Sequence, residues 1–131
     1  MSATVYYSRT VKEDTKYLDY LKTKTGCDFC NIGTPTNTLS QVREENELFW
    51  IVINAFPYTV FDGNEVADHI MIVPKKHVES ISELSEDERQ VLIELINKYE
   101  PMGYSFMGRD PNNSQKSITH QHTHLIKLVS K

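Results

Sequence analysis

Three histidines stand two residues apart near the C-terminal end of the chain, at His120, His122 and His124. Side chains alternate between the two faces of an extended strand, so this spacing predicts that all three imidazoles point the same way. Grouped imidazoles can bind a metal, and a neutral imidazole is also a competent nucleophile. Either core hydrogen bonds satisfy these rings, or the rings serve one site or two adjoining sites. We favour a site, because one buried imidazole is common and three on one face are not.

The only two cysteines, Cys27 and Cys30, form a C-x-x-C motif. In a reducing compartment this spacing indicates a metal half-site or a redox pair. Turn-forming residues follow the pair, including Gly33 and Pro35, whereas a thioredoxin-type motif is expected to open a helix. We therefore favour zinc, with unliganded thiols as the alternative. Zinc needs two further ligands, which must come from histidine.

Composition limits the classes of protein that this chain can belong to. Its 131 residues, 39% of them hydrophobic, suit a single globular domain over residues 1–131. A net charge of −4 argues against non-specific nucleic-acid binding through a broad basic face, but leaves a nucleotide pocket possible. No apolar stretch approaches the ~20 residues of a membrane span, and residues 1–14 lack the apolar centre of a signal peptide. We expect a cytoplasmic protein that makes no membrane contact.

Periodicity and turn residues predict the elements that must position these side chains. A helix is predicted over residues 13–24, within an N-terminal helical extension over 1–26. Strands are predicted over residues 39–43, 48–54, 69–73 and 104–107, with a hairpin turn at 44–46.

The clearest helix follows Ser85, which forms a capping box with Glu88 ahead of an apolar stripe. Pro101 and Gly103 end this helix. The order of elements predicts an α+β fold, in which one long helix packs on an antiparallel sheet of about five strands and an N-terminal helix is added.

Four motifs, in this order, resemble those of the histidine triad (HIT) superfamily of nucleotidyl hydrolases and transferases. They are the C-x-x-C pair, the run Asn-Ala-Phe-Pro-Tyr at 54–58, residues 69–77 and the histidine triplet. The resemblance extends from Cys27 to about Leu128, most of the chain. It implies a HIT-like fold, a nucleotide as the small-molecule substrate and a homodimer.

The resemblance also implies a zinc ligand set of Cys27, Cys30, His77 and His120. Four protein ligands complete a tetrahedral site without an open position for water, so this zinc is structural. It would tie the cysteine loop, which we expect to be too short and polar to fix its own position, to two distant strands. A catalytic zinc held by His120, His122 and His124 stays open as the alternative.

In the family the middle histidine of the triplet, here His122, attacks the α-phosphorus of a nucleotide and carries the nucleotidyl group until an acceptor takes it. The resemblance places His124 and His69 beside that phosphate. Ser117 lies where family members have a Ser or Thr donor, so the predicted catalytic residues are His122, His124 and Ser117.

The substrate-binding residues implied in addition are Asn54, Phe56, Pro57 and Tyr58, which fall where the family builds its nucleoside wall. The chain also departs from the family. It has Asp68 in place of a common glycine, and residues 59–68 predict an insertion that forms a lid or an interface. Arg109 and Lys116 stand where neutral residues are frequent, and we expect both to bind substrate, with side chains that simply point to solvent as the alternative.

We therefore expect an enzyme that cleaves or transfers a nucleoside monophosphate through His122. Dinucleoside polyphosphates are the leading substrate class, because the run at 54–58 looks most like that of diadenosine tetraphosphate phosphorylases and hydrolases. The alternatives are a nucleoside phosphoramidase and a non-catalytic, zinc-stapled nucleotide-binding or scaffold module.

Overall fold

The computed structural model of the chain describes residues 9, 11–23, 26–35, 37, 40–114 and 116–130. The helices are α1 (Val11–Thr23) and α2 (Glu86–Tyr99), with short 3-10 helices at Asp28–Asn31, Ile81–Glu83 and Glu100–Met102. The strands are β1 (Gln41–Glu45), β2 (Phe49–Ile53), β3 (Val60–Phe61), β4 (Asn64–Pro74), β5 (Tyr104–Met107) and β6 (Thr123–Leu128).

All described strand pairs are antiparallel, and five strands run in the order β1-β2-β4-β6-β5, while β3 pairs with the start of β4. The predicted α+β fold is confirmed. The pairing brings distant residues together, because β4 and β6 place Met71 opposite His124. Neither described helix has the length and apolarity that a membrane span requires.

Helix α2 covers one face of the sheet. Its residues Leu92, Leu95 and Ile96 belong to the same buried cluster as Ile51 and Ile70 of the sheet. The predicted capping box begins this helix, since the Ser85 hydroxyl accepts from the Glu88 amide at 3.1 Å and the Glu88 carboxylate accepts from the Ser85 amide at 2.7 Å.

The cysteine segment, residues 27–32, packs on the opposite face of the sheet. Phe29 and Ile32 are both 4% exposed, and they cluster with Val52, Met71 and Val73. The expectation that this loop is too polar to fix its own position is therefore wrong. Two apolar side chains, Phe29 and Ile32, anchor it to the sheet.

Two predicted boundaries are wrong, the end of the first strand and the start of the central strand. Strand β1 runs on to Glu45, and the turn follows at Asn46, whose side-chain oxygen accepts from the Leu48 amide at 2.8 Å. Leu39, in the predicted first strand, lies outside the described residues. The stretch 59–68 is a hairpin that extends the central strand β4, with positive φ at Asp62 and Gly63.

The expectation that the histidine triplet forms one continuous strand is wrong. Strand β6 begins at Thr123, so only His124 has strand geometry, and His120 and His122 lie in the irregular segment before it. Their rings consequently diverge. The His120 ring lies 4.8 Å from that of His77, while the His122 ring lies 4.9 Å from that of His124.

Candidate active site and metal centre

The four residues implied as metal ligands form one cluster. Their side-chain ligand atoms all lie within 4.8 Å of one another. The His77 Nδ1 atom lies 3.1 Å from both Cys30 Sγ and His120 Nδ1, and the His120 Nδ1 atom lies 3.5 Å from Cys27 Sγ. These residues come from the cysteine segment, the loop after β4 and the segment before β6, so the cluster could bind a metal ion that joins all three.

A second hydrogen bond prepares His120 for that role. Its Nε2 lies 2.7 Å from the Pro74 carbonyl oxygen, and this bond requires a proton on Nε2. The neutral ring then has its lone pair on Nδ1, the atom that faces the thiols. The ring is fully buried, and burial lowers the pKa of His120, which favours the neutral form that binds metals.

His122 has the opposite arrangement of its two ring nitrogens. Its Nδ1 lies 2.8 Å from the His120 carbonyl oxygen and donates a hydrogen bond to it, so the lone pair is on Nε2. Burial lowers the pKa of His122 to about 4, with Lys116 and Arg109 also disfavouring the charged ring. At neutral pH this residue is therefore an uncharged imidazole, the form that can attack an electrophile.

His69 and His124 form a hydrogen-bonded pair beside His122. The Tyr58 amide donates to His69 Nδ1 at 3.0 Å, so His69 carries its proton on Nε2 and donates it to His124 Nδ1 at 2.8 Å. His124 consequently has its proton on Nε2, a buried atom without a hydrogen-bond partner among the described residues. Burial lowers the pKa of His69 to about 3 and that of His124 well below its usual value. The pair is neutral and offers one unused N–H.

A cavity of about 680 Å³ opens beside these histidines, and its size suits a small-molecule ligand. It brings together most of the residues predicted to act on substrate, namely Asn54, Phe56, Tyr58, Arg109, Lys116, Ser117, His122 and His124. His69 is not on the cavity wall but is buried behind His124. Pro57 is exposed and also does not line the cavity.

The two predicted cations differ in what they contact. Arg109 donates from Nη1 to the Tyr58 hydroxyl at 2.5 Å. Lys116 donates from Nζ to the Glu79 carbonyl oxygen at 2.8 Å. Lys116 therefore lines the cavity while its ammonium is already hydrogen-bonded. Among the described residues, Arg109 is hydrogen-bonded through one nitrogen to a side chain of the cavity itself.

Sequence reasoning missed one wall of the cavity, which the N-terminal segment provides. Tyr17 and Tyr20 of α1 lie 5.3 and 4.9 Å from the Phe56 ring, and the Tyr17 hydroxyl contacts the Ser117 hydroxyl. Arg9 donates from Nε and Nη2 to the Phe56 carbonyl oxygen at 3.0 and 2.8 Å. The tyrosines in the predicted helix indicated an apolar face, but no local signal indicated what that face covers.

Comparisons with known proteins agree with the motifs. No model of a protein family matches the chain. An uncharacterized HIT-like protein of Mycoplasma pneumoniae is 27% identical over 108 residues, which cover 76% of this chain and 69% of that protein. A HIT family hydrolase from Clostridium thermocellum superposes with a TM-score of 0.61 at 23% identity, over 82% of this chain and 95% of that one. A histidine triad nucleotide-binding protein from Candida albicans gives 0.57 at 17% identity, over 79% and 76%.

The resemblance to the HIT superfamily is thus confirmed. The chain is similar to HIT proteins in three respects: its motifs stand in the family's order, its sequence is similar to curated HIT-like proteins, and its fold is similar to that of HIT family hydrolases.

Proposed function

We propose that this protein is a nucleotidyl hydrolase or transferase in which His122 is the nucleophile. The observation that carries the proposal is the hydrogen bond from His122 Nδ1 to the His120 carbonyl oxygen, which leaves the Nε2 lone pair free on a residue of the cavity wall. The Nε2–H of His124, which has no partner among the described residues, is a suitable donor for a phosphate oxygen.

In the proposed reaction the Nε2 lone pair of His122 bonds to the α-phosphorus, and the bond from that phosphorus to the leaving phosphate breaks. The leaving group departs with the electron pair as an anion. The ring, bonded to phosphorus at Nε2 and to hydrogen at Nδ1, is now positively charged, and the His120 carbonyl dipole stabilises that charge. Water attacks the same phosphorus and loses its proton to solvent, and the P–N bond breaks to restore neutral His122. If phosphate is the acceptor instead, the product is a nucleoside diphosphate.

We assign zinc to the Cys27, Cys30, His77 and His120 cluster. Zn–S bonds of about 2.3 Å and Zn–N bonds of about 2.0–2.1 Å in a tetrahedron place sulfur and nitrogen roughly 3.5 Å apart. Three of the four S···N distances here, at 3.5, 3.6 and 3.7 Å, agree with that value. The ion would supply no catalysis, because four protein ligands leave it no open position. Its two thiolates suit the reducing cytoplasm in which we place the protein.

Dinucleoside polyphosphates are the substrates that we propose, and a homodimer is the proposed assembly. The dimer proposal is supported by β5, an edge strand on which Phe106 is 52% exposed beside Ile93 of α2, which is 55% exposed. A groove lies between these side chains, and the buried Oε1 of Gln121, a residue of its wall, has no partner among the described residues. A second copy of the chain could cover this surface.

The deciding experiment is a turnover screen with and without inorganic phosphate. Its substrates are diadenosine tetraphosphate, diadenosine triphosphate and an adenosine phosphoramidate. We expect adenosine nucleotides as products from the polyphosphates, and acid-labile label on the protein after brief incubation with radiolabelled substrate. Absence of turnover with every substrate would favour a non-catalytic module. A clear preference for the phosphoramidate would favour a phosphoramidase.

A further inference from the structure

Arg9 precedes α1 in the chain, yet its side chain lies in the nucleotide cavity. Its guanidinium carbon lies 4.9 Å from the centre of the Tyr58 ring and 4.2 Å from that of Tyr17. The Arg109 guanidinium carbon lies 5.7 Å from the same Tyr58 ring. Both arginines line the cavity that also contains His122. The fold thus brings two guanidinium groups, 100 residues apart in sequence, to one aromatic side chain.

The charges around these two groups are unbalanced. Within the described residues neither arginine forms an ion pair. Asp14 and Asp28 also line the cavity, and the Asp14 carboxylate attracts the Arg9 guanidinium. With Lys116 the cavity wall holds three cations against these two carboxylates, in a chain whose net charge is −4. An anion is the ligand that would offset the repulsion between the two guanidinium groups.

Arg9 has hydrogen-bond donors to spare for such a ligand. The Phe56 carbonyl oxygen uses Nε and Nη2, and these bonds fix the direction of the guanidinium plane. Within the part of the chain that the structure describes, the two hydrogens of Nη1 and the second hydrogen of Nη2 remain for other acceptors. A fork held in this way loses little further freedom when it binds a phosphate oxygen.

We infer that Arg9 is a specificity-determining residue that, together with Arg109, binds the phosphates beyond the one attacked by His122. This inference rests on the proposed function and sharpens its substrate class. The N-terminal segment then makes the protein selective for nucleotides with a chain of several phosphates. Arg9 adds little to the binding of a nucleotide with a single α-phosphate beside His122, whereas the β- and γ-phosphates of a longer chain contact Arg9.

The test measures the binding of AMP and of α,β-methylene-ATP by calorimetry. The analogue replaces ATP because its methylene bridge resists attack by His122, so it stays intact during the measurement. The variants are Arg9→Gln, which removes the charge, and Arg9→Lys, which keeps a charge but loses the fork. Lys12→Gln is the matched control, since Lys12 is an exposed cation of the same segment and does not line the cavity. Thermal unfolding establishes whether each variant is folded.

We expect Arg9→Gln to weaken the binding of α,β-methylene-ATP about tenfold, the usual cost of one charge-assisted hydrogen bond. The same variant should weaken the binding of AMP less than about twofold. Arg9→Lys should retain most of the preference for the triphosphate, and Lys12→Gln should change neither affinity. Equal weakening of both ligands by Arg9→Gln would overturn the inference, because Arg9 would then only hold α1 in place. Unchanged affinities would also overturn it. If Arg9→Gln does not fold, equal weakening of both ligands by Arg9→Lys overturns it.

Binding of inorganic tripolyphosphate separates this inference from the proposed function. If the wild-type protein binds neither nucleotide, the proposed function is rejected. The inferred anion site then stands only if the protein binds tripolyphosphate and Arg9→Gln weakens that binding by about the same tenfold factor. It fails if tripolyphosphate does not bind or if the variant binds it equally well.

Discussion

His120 and His122 are two residues apart, but they belong to two different regions of the molecule. The His120 ring lies in the cysteine–histidine cluster, and its Nε2–H donates to the Pro74 carbonyl oxygen. The His122 ring lies on the wall of the ~680 Å³ cavity, and its Nδ1–H donates to the His120 carbonyl oxygen. In both residues, the bond made by one imidazole nitrogen decides what the other nitrogen can do.

The two regions are also connected. The carbonyl group that orients His122 belongs to His120, whose side chain is held in the cluster. A metal bound there would therefore stabilise the position of the acceptor on which the His122 tautomer depends. Variants in one region should therefore leave the other intact, except where this connection is broken.

The largest effect is expected for His122→Asn. Removal of a covalent nucleophile should lower kcat for diadenosine tetraphosphate at least about 10³-fold. Zinc content and melting temperature should stay close to those of the wild-type protein, because the His122 ring is not in the cluster. Steady-state kinetics and elemental analysis of the same preparation test both statements. Wild-type kcat in this variant would reject covalent catalysis by His122.

Loss of the metal should affect stability most. We expect about one zinc per chain, and we expect chelation or Cys27→Ser with Cys30→Ser to lower the free energy of unfolding by roughly 3 kcal/mol or more. His120→Asn should do the same. The anchors Phe29 and Ile32 should keep the domain folded at low temperature, so activity should fall before the fold is lost.

Elemental analysis, thermal melts and kinetics on one sample measure this effect, with His122→Asn as the control that keeps its metal. Zinc that survives replacement of both cysteines would show that the ligand assignment is wrong.

Acidification should destabilise the protein through the buried histidine pair. Burial lowers the pKa of His69 to about 3, whereas an unfolded histidine has a pKa near 6.5, so the unfolded chain binds the extra proton between these values. The free energy of unfolding is therefore largest above pH 6.5 and falls as pH decreases, by up to about 1.4 kcal/mol per pH unit for each such group. His69→Gln, which keeps an acceptor for the Tyr58 amide, should show a smaller fall between pH 7 and 4.5. Equal slopes for both proteins in urea titrations would reject this account.

The smallest effect is expected for Lys116→Gln. We predict that diadenosine tetraphosphate has a higher kcat/KM than an adenosine phosphoramidate. Lys116→Gln should reduce the ratio of these two kcat/KM values about twofold to threefold. The modest size follows because the Lys116 ammonium is hydrogen-bonded to the Glu79 carbonyl oxygen, so it acts on phosphate mainly through its charge. Parallel kinetics with Lys12→Gln as the control measure the ratio. A phosphoramidate preference, or a ratio that Lys116→Gln leaves unchanged, would contradict the prediction.

Local interactions explain why much of the fold could be predicted. The capping box of Ser85 and Glu88 involves residues three apart, and the alternation and β-branching of residues 48–54 need no distant partner to indicate a strand. The extent of the histidine strand was predicted wrongly, because a spacing of two residues is compatible with a strand but does not require one. Cys27 and Cys30 indicated half of a metal site, and only the family resemblance supplied His77 and His120.

The amino-acid sequence by itself determined which groups are available for chemistry, namely five histidines, two thiols and the cations near the C-terminal motif. The tertiary structure decided how each is used. His120 receives its tautomer from a carbonyl 46 residues away and His69 from an amide 11 residues away, and Arg9 reaches the cavity only because α1 packs on Phe56. These partners lie beyond the few residues over which local patterns act. The protonated nitrogen of each ring and the position of Arg9 are therefore set only when distant segments pack together.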